Sequence, residues 1–140
     1  MKPLHRSSVA AFTLIEIMLV IIIVVALMAV LIPNLKNALS ESKSGQARMY
    51  ITRLAGDLSM YELKNGRPPS SEQGLKALVE MPQSEPRPRI WSQFEEKLET
   101  DPWGMEYRYE FPGRHNPKGF DVYSCGPDRQ PNTDDDIWNN

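Results

Sequence analysis

The chain has 140 residues and a formal net charge of −2, and 41% of its residues are apolar. This length suits one small domain with additional segments, and the near-neutral charge excludes a basic nucleic-acid-binding surface. A single cysteine, Cys125, excludes an intramolecular disulfide, so we expect a small buried apolar residue at that position.

A long apolar segment follows a short basic start. The 21 residues from Phe12 to Ile32 contain one charged side chain, Glu16, and as a helix they would be roughly 31 Å long, close to the hydrocarbon thickness of a bilayer. Lys2 and Arg6 precede the segment, and positive charge on that side favours a cytoplasmic N-terminus. The segment is longer than a signal-peptide core of about 7–15 residues and has no small-residue cleavage site after it. Composition alone therefore favours an uncleaved membrane anchor.

The order of residues at the start of this segment changes that interpretation. Residues 11–16 read AFTLIE, which resembles the processing motif of type IV prepilins, a small residue followed by FTLIE. The resemblance implies a leader over residues 1–11, cleaved by a prepilin peptidase between Ala11 and Phe12, and N-methylation of Phe12. It also implies that Glu16 is an assembly contact for the N-terminal amine of a neighbouring subunit. The family nearly always has glycine where this chain has Ala11, which leaves the rate of processing open.

We expect the helix to continue beyond the apolar segment. Pro33 removes one hydrogen bond and favours a kink, but it need not end the helix. Four later apolar residues share one helical face, namely Ile51, Leu54, Leu58 and Tyr61. Gly66 is typical of a C-cap. The sequence therefore predicts one helix from Phe12 to about Lys64, with a transmembrane and filament-core half at residues 12–33 and an amphipathic continuation over 34–66.

The remaining residues, 67–140, consist of short elements. Ser70 and Gln73 have the spacing of a capping box, which predicts a short helix to about Glu80, and a proline-rich irregular connector follows. Residues 101–104, DPWG, fit a type I turn. Alternating apolar residues around the PGRHNPKG loop predict a β-hairpin. The predicted fold class is α+β, a long N-terminal helix packed on a small antiparallel sheet.

Longer blocks of this region, NGRPPSSEQGLKALVE, DPWGMEYRYEFPG and FDVYSCGPD, resemble the major pseudopilin of bacterial type II secretion systems. The resemblance implies a structural subunit of the periplasmic pseudopilus, a homo-oligomeric helical filament that drives export of folded proteins across the outer membrane. It further implies a single-pass protein of the bacterial inner membrane, with its C-terminal domain in the periplasm. The implied partners are other pseudopilins and an inner-membrane assembly platform with its ATPase.

Two alternatives remain open at this point. One is another pilin-like subunit, either a minor pseudopilin or a type IV pilin, and the other is a membrane-tethered periplasmic calcium-dependent binding module. An enzyme is not expected, because neither His5 nor His115 has a catalytic partner placed by a motif. The sequence also has no zinc-type cluster and no glycine-rich phosphate-binding loop.

The C-terminal region is acidic. Four carboxylates lie within nine residues, those of Asp128, Asp134, Asp135 and Asp136. Such oxygen-rich loops suit Ca²⁺, which takes 6–8 oxygen ligands including backbone carbonyls, although a solvated acidic terminus is the simpler alternative. The family resemblance implies a structural calcium held by Asp128, Asp135, Asp136 and the backbone carbonyl of Cys125, with Asp134 as an alternative ligand. Arg129 stands where the family usually has glycine.

Overall fold

The computed structural model describes residues 13–139. Within that range the elements in chain order are helix α1 (Leu14–Asn65), a 3-10 helix (Gly74–Leu78), and strands β1 (Arg108–Glu110), β2 (Asp121–Ser124) and β3 (Ile137–Trp138). The strands form one antiparallel sheet in the order β1-β2-β3. A long helix with a small antiparallel sheet is the predicted fold class, which is confirmed. The chain divides into two compact units, one ending at Leu39 and one beginning at Ser40.

The first unit, as far as the structure describes it, is the N-terminal part of α1. The helix begins at Leu14 and runs through Pro33 without ending, as predicted. Every residue from Leu14 to Leu39 is exposed, because no other element of this unit covers the helix. By length and composition, α1 is the one helix among the described residues that could cross a membrane.

The second unit has its own hydrophobic core. The later part of α1 contributes one buried face, formed by Ala47, Ile51, Leu54, Leu58 and Tyr61. Against it pack side chains of the 3-10 helix, the hairpin and the C-terminal strand, including Leu75, Leu78, Tyr107, Phe120, Val122 and Ile137. The predicted helical face is therefore confirmed. The C-cap is confirmed as well, because Gly66 has a φ of 77° and its N–H donates to the Glu62 carbonyl.

The predicted capping box forms, but the helix behind it is different. The Ser70 N–H donates to Gln73 Oε1 at 3.0 Å, and the Gln73 N–H donates to Ser70 Oγ at 3.2 Å. The short helix predicted to about Glu80 is present, but as a five-residue 3-10 helix that ends at Leu78. The physical reason is Gly74, whose φ of 59° interrupts α-helical geometry directly after the turn.

The irregular connector after the 3-10 helix is held in place by side-chain hydrogen bonds. The Ile90 N–H donates to Asn65 Oδ1 at 3.0 Å, and Trp91 Nε1 donates to the Ala77 carbonyl at 2.9 Å. Lys64 Nζ donates to Ser92 Oγ at 2.9 Å. These bonds fasten a segment that has no secondary structure of its own to the end of α1 and to the 3-10 helix.

The predicted hairpin is formed by β1 and β2, with Tyr109 opposite Val122. All four residues of β2 are buried, so the predicted alternation of buried and exposed residues in that strand is wrong. The reason is that both faces of the strand are covered. Val122 lies in the core, whereas on the other face the hairpin loop covers Asp121 and Tyr123 stacks on Trp138 of β3, a strand that the sequence did not predict. The buried Asp121 carboxylate accepts the N–H groups of His115 and Asn116 in the hairpin loop. The predicted turn at residues 101–104 is confirmed by a 2.9 Å hydrogen bond from the Gly104 N–H to the Asp101 carbonyl.

Candidate assembly and metal sites

Glu16 closes the first turn of α1 against Thr13. Its Oε2 accepts the Thr13 N–H and the Thr13 hydroxyl, each at 3.2 Å, and the Glu16 N–H donates to Thr13 Oγ1 at 3.3 Å. This reciprocal arrangement is a capping box, whose sequence signal is T-x-x-E. Sequence reasoning missed it, because Glu16 was interpreted only as an assembly contact and as the one charge inside an apolar segment. A carboxylate at this position also interacts favourably with the helix dipole.

The predicted processing site, Ala11–Phe12, lies outside the described residues. Cleavage there and N-methylation of Phe12 stay predictions, and so does the pairing of Glu16 with a neighbour's amine. Glu16 is exposed, so its carboxylate is accessible to a partner at the same time as it caps the helix.

The C-terminal loop begins at the end of β2 with buried residues. Cys125 is a free and fully buried cysteine, as expected for a small apolar residue. Gly126 has a φ of 63°, and a Cβ at this position would collide with the backbone carbonyl of Asp135. Glycine is therefore required here both for the backbone conformation and for the close approach of the two ends of the loop.

Asp135 joins the two ends of this loop. Its Oδ1 accepts the Thr133 hydroxyl at 2.7 Å, and its Oδ2 accepts the Asp128 N–H at 3.0 Å. These hydrogen bonds, with that of the Thr133 hydroxyl the stronger influence, hold the pKa of Asp135 below its ordinary value. Asp128 Oδ1 in turn accepts the Gln130 N–H at 2.8 Å. The carboxylates thus act first as acceptors for the loop's own N–H groups.

One carboxylate oxygen of Asp136 accepts hydrogen bonds, and the other is buried without a donor. Its Oδ2 accepts the N–H groups of Asn132 and Thr133 at 2.7 and 3.3 Å. Its Oδ1 is buried and has no hydrogen-bond partner among the described residues. A buried carboxylate oxygen without a donor is costly, and a cation is one group that would satisfy it.

The structure brings together only part of the predicted metal set. Asp134 is exposed, whereas Asp135 and Asp136 are half-buried. Over residues 13–139, no three His, Cys, Asp or Glu side chains converge in the way a metal ion would require. A calcium ion in this loop would therefore depend on backbone carbonyls, such as that of Cys125, in addition to carboxylates. The ligand set stays a prediction.

Helix, sheet and C-terminal loop together are those of a pilin-like protein. A crystal structure of the major pseudopilin from the type 2 secretion system of enterohaemorrhagic Escherichia coli matches with a TM-score of 0.70 and 39% sequence identity, covering 76% of this chain and 90% of that one. Residues 34–140 match the family model described as type II secretion system (T2SS), protein G. The chain belongs to this protein G family.

Relatives of nearly full length agree with that assignment. The type II secretion system core protein G of Dickeya chrysanthemi is 45% identical over 130 residues, which are 91% of this chain and 84% of the relative. The protein of the same name from Pseudomonas aeruginosa is 38% identical over 98% of this chain and 100% of its own length. The similarity thus includes the N-terminal helix as well as the second unit.

Proposed function

We propose that this chain is the main structural subunit of a type II secretion pseudopilus and that it polymerises through α1. The observation that supports this proposal is the apolar helix segment at residues 14–32, which is exposed on all sides in the single chain. A surface of this kind needs a bilayer or other apolar chains around it. In a member of the protein G family, both are available in turn, first the membrane and then the neighbouring subunits of a filament.

The residues before the helix, together with the family assignment, support a specific route into the filament. The chain is made with its N-terminus in the cytoplasm, is cleaved by a prepilin peptidase between Ala11 and Phe12, and is N-methylated at Phe12. Its second unit stands in the periplasm, and an inner-membrane platform with an assembly ATPase adds the subunit to the filament beside other pseudopilins. Its work is mechanical and not enzymatic, and the filament moves folded proteins towards the outer membrane.

Glu16 offers a test that separates assembly from helix capping. Glu16→Gln keeps an acceptor for the Thr13 N–H, because glutamine also completes a capping box, but it removes the carboxylate that would pair with a neighbour's amine. Glu16→Ala removes both. We therefore expect both variants to be inserted and processed but to give no crosslinked subunit ladder and no secretion, with Gln no better than Ala.

The measurement is chemical crosslinking of whole cells, together with the level of a secreted protein in the medium. Wild-type chain should give a ladder of dimers, trimers and larger species, whereas a tethered enzyme or binding module would stay monomeric. If Glu16→Gln assembles like the wild type, the carboxylate has only a capping role. If the wild type itself gives no ladder, the filament proposal is wrong.

We propose, as a second step, that the C-terminal loop binds a structural calcium ion. Asp128, Asp135, Asp136 and the Cys125 carbonyl would hold it, with Asp134 as the alternative ligand. The buried free oxygen of Asp136 and the oxygen-only donor set support this assignment. A bound cation would offset repulsion between adjacent carboxylates and fix the loop against β2.

Calcium should therefore raise the stability of the folded chain by mass action, by about 2.7 kcal/mol when free calcium is 100 times its Kd. Thermal unfolding is measured with calcium, with magnesium and with chelator. Asp136→Asn should lose the calcium response, while Asp134→Asn, which changes an exposed side chain, should keep it. Equal midpoints with calcium and with chelator would contradict the metal site. If only Asp134→Asn loses the calcium response, Asp134 is a ligand and the assignment of the adjacent aspartates shifts by one residue.

A further inference from the structure

Two carboxyl groups meet where the connector crosses α1. Arg53 and Asp57 are four residues apart, so their side chains lie on the same side of α1, about one turn from each other. Glu95 of the connector contacts Arg53, since its Oε2 accepts a hydrogen bond from Arg53 Nη2 at 2.7 Å. The Glu95 carboxyl group is also within hydrogen-bond reach of the Asp57 carboxyl group. Ionised carboxylates only accept hydrogen bonds, so a bond between these two groups requires a proton on one of them.

Both carboxyl groups have a buried oxygen that lacks a donor. Asp57 Oδ2 and Glu95 Oε1 are buried and have no hydrogen-bond partner among residues 13–139. Arg53 Nε approaches Glu95 Oε1 to 2.7 Å, but the Arg53 side chain is 60% exposed whereas that of Glu95 is 5% exposed. A buried carboxylate oxygen without a donor is costly. One proton between the two groups would supply the missing donor.

The charges around this pair favour uptake of a proton. The charged groups that act on the Glu95 carboxyl group are Arg53 and Asp57 on α1 and Glu99 on the connector, and Tyr50 of α1 is close enough to feel the charge of Glu95. One largely exposed cation therefore faces three carboxyl groups. Like charges at short distance cannot all ionise without a penalty, and burial increases that penalty.

Glu95 is not free to turn towards solvent. The N–H groups of Phe94 and Glu95 donate to the Leu78 carbonyl at 2.9 and 3.1 Å, and the Glu95 carbonyl accepts the side-chain amide of Gln93 at 3.1 Å. The Phe94 ring packs on that of Tyr61 in α1, with 6.4 Å between the ring centroids. Because the backbone on both sides of the carboxyl group is held, full ionisation of the pair is relieved only by a local opening of the connector.

We propose that Asp57 and Glu95 form a proton-binding site, which holds the connector on α1 in mildly acidic surroundings and releases it when the proton is lost. The carboxyl O–H of one residue donates to the carboxylate of the other, and the two groups titrate as a unit. Loss of the proton leaves two adjacent anions, of which Arg53 compensates one. This site belongs to the single chain and does not depend on the filament.

The first experiment is thermal unfolding of the full chain in detergent micelles at several pH values. Asp57→Asn should have a higher midpoint than the wild type at neutral pH, because an amide can donate to Glu95 where a second carboxylate cannot. The folded pair binds its proton more tightly than the unfolded chain does, so its contribution to stability is complete in acid and is lost as the pH rises. The advantage of Asp57→Asn should therefore disappear as the pH falls to the ordinary range of a glutamate.

Glu62→Gln is the matched control. It removes another carboxylate of α1, closer to the C-terminal end of the helix, and so reports the effect of the helix dipole alone. Its difference from the wild type should vary much less with pH over the same range.

Hydrogen exchange measures the release of the connector directly. In the wild type, the protection factors of the Phe94 and Glu95 amides should fall as the pH rises. The total loss is about tenfold for each unit by which the apparent pKa of the folded pair exceeds that of the unfolded chain. Asp57→Asn should keep these protection factors constant. Infrared spectra of the wild type should show a carboxylic acid C=O band at pH values where exposed carboxyl groups are ionised, and Asp57→Asn should lose this band.

Three results would overturn the proposal. If Asp57→Asn shifts the midpoint no more than Glu62→Gln does, and without dependence on pH, the pair holds no shared proton. If the carboxylic acid band remains in Asp57→Asn, the proton belongs to another group or to Glu95 alone. If the protection factors fall equally in the wild type and in Asp57→Asn, the connector opens for a reason other than ionisation of this pair.

Discussion

One buried carboxylate fastens the 101–104 turn to the sheet. Asp101 is 3% exposed, and its Oδ1 accepts the N–H groups of Trp103 and Met105 at 3.0 and 2.8 Å. Its Oδ2 accepts the hydroxyl of Ser124, at the end of β2, at 2.6 Å. The sequence predicts the turn, because proline and glycine follow Asp101 at fixed positions. It does not predict the bond to Ser124, because that residue is brought near only by the fold.

Removal of the Ser124 hydroxyl should therefore be costly although the side chain is small. Ser124→Ala leaves Asp101 Oδ2 buried without this donor and also deprives the Gly126 N–H of its acceptor. We expect a loss of about 1–3 kcal/mol in the free energy of unfolding, measured by urea denaturation. Ser59→Ala is the control, since that exposed hydroxyl bonds only its own helix, and its effect should stay within about 0.5 kcal/mol. Equal effects of the two substitutions would contradict this role of Ser124.

At the scale of elements, an ion pair joins α1 to the connector. Arg53 Nη2 donates to Glu95 Oε2 at 2.7 Å, and Arg53 Nε lies 2.7 Å from Glu95 Oε1. Glu95 is 5% exposed, whereas the Arg53 side chain remains 60% exposed. Burial is the main cause that raises the pKa of Glu95, and the nearby Asp57 carboxylate adds to it, while Arg53 acts in the opposite direction.

The raised pKa of Glu95 determines whether the stability of the protein rises or falls with pH. A carboxyl group whose pKa is higher in the folded than in the unfolded state adds to the free energy of unfolding, and this addition is complete below its unfolded pKa. The addition is lost as the pH rises through the folded pKa. We therefore expect the wild type to gain stability relative to Glu95→Gln as the pH falls from neutral to the ordinary range of a glutamate. Urea unfolding of both proteins at several pH values measures the difference.

The control for this experiment is Glu96→Gln, which removes a neighbouring but exposed carboxylate. Its stability difference from the wild type should vary much less with pH than that of Glu95→Gln. If the difference between the wild type and Glu95→Gln has the opposite slope, the contact with Arg53 outweighs burial.

The elements themselves differ in how far the sequence predicts them. Helix α1 is predictable because its apolar period and its C-cap at Gly66 are local signals. Strand β3 has only two residues, Ile137 and Trp138, and follows an acidic loop, so no local sequence pattern predicts it. The carboxylate pattern predicted a metal loop, but it could not show that Asp135 and Asp136 already accept N–H and hydroxyl groups of that loop. Nor could it show that Arg129, with a φ of 62°, adopts the backbone conformation that favours glycine.

For the whole molecule, the two units differ in what they need in order to be stable. Every buried apolar side chain of the core comes from Ala47 or later in the chain. The second unit therefore has a complete hydrophobic core without the apolar helix segment, while that segment has none of its own. A domain of about 100 residues is large enough to fold alone, so anchoring and folding are separable properties of this protein.

A fragment that begins at Ser40 should thus fold as a soluble monomer, while the full chain should require detergent or membrane. We expect the fragment to show cooperative thermal unfolding and the size of a single chain in gel filtration.

Within this fragment, Leu58→Ala should lower the free energy of unfolding by about 2–5 kcal/mol, because Leu58 is fully buried in the core. Met49→Ala should cost much less, since that side chain contacts solvent in the monomer. An unfolded fragment would mean that the core depends on the N-terminal helix segment or on neighbouring subunits. A folded fragment that associates strongly would mean that the surfaces of the second unit are sufficient to hold subunits together, and the apolar segment would then serve mainly as the membrane anchor.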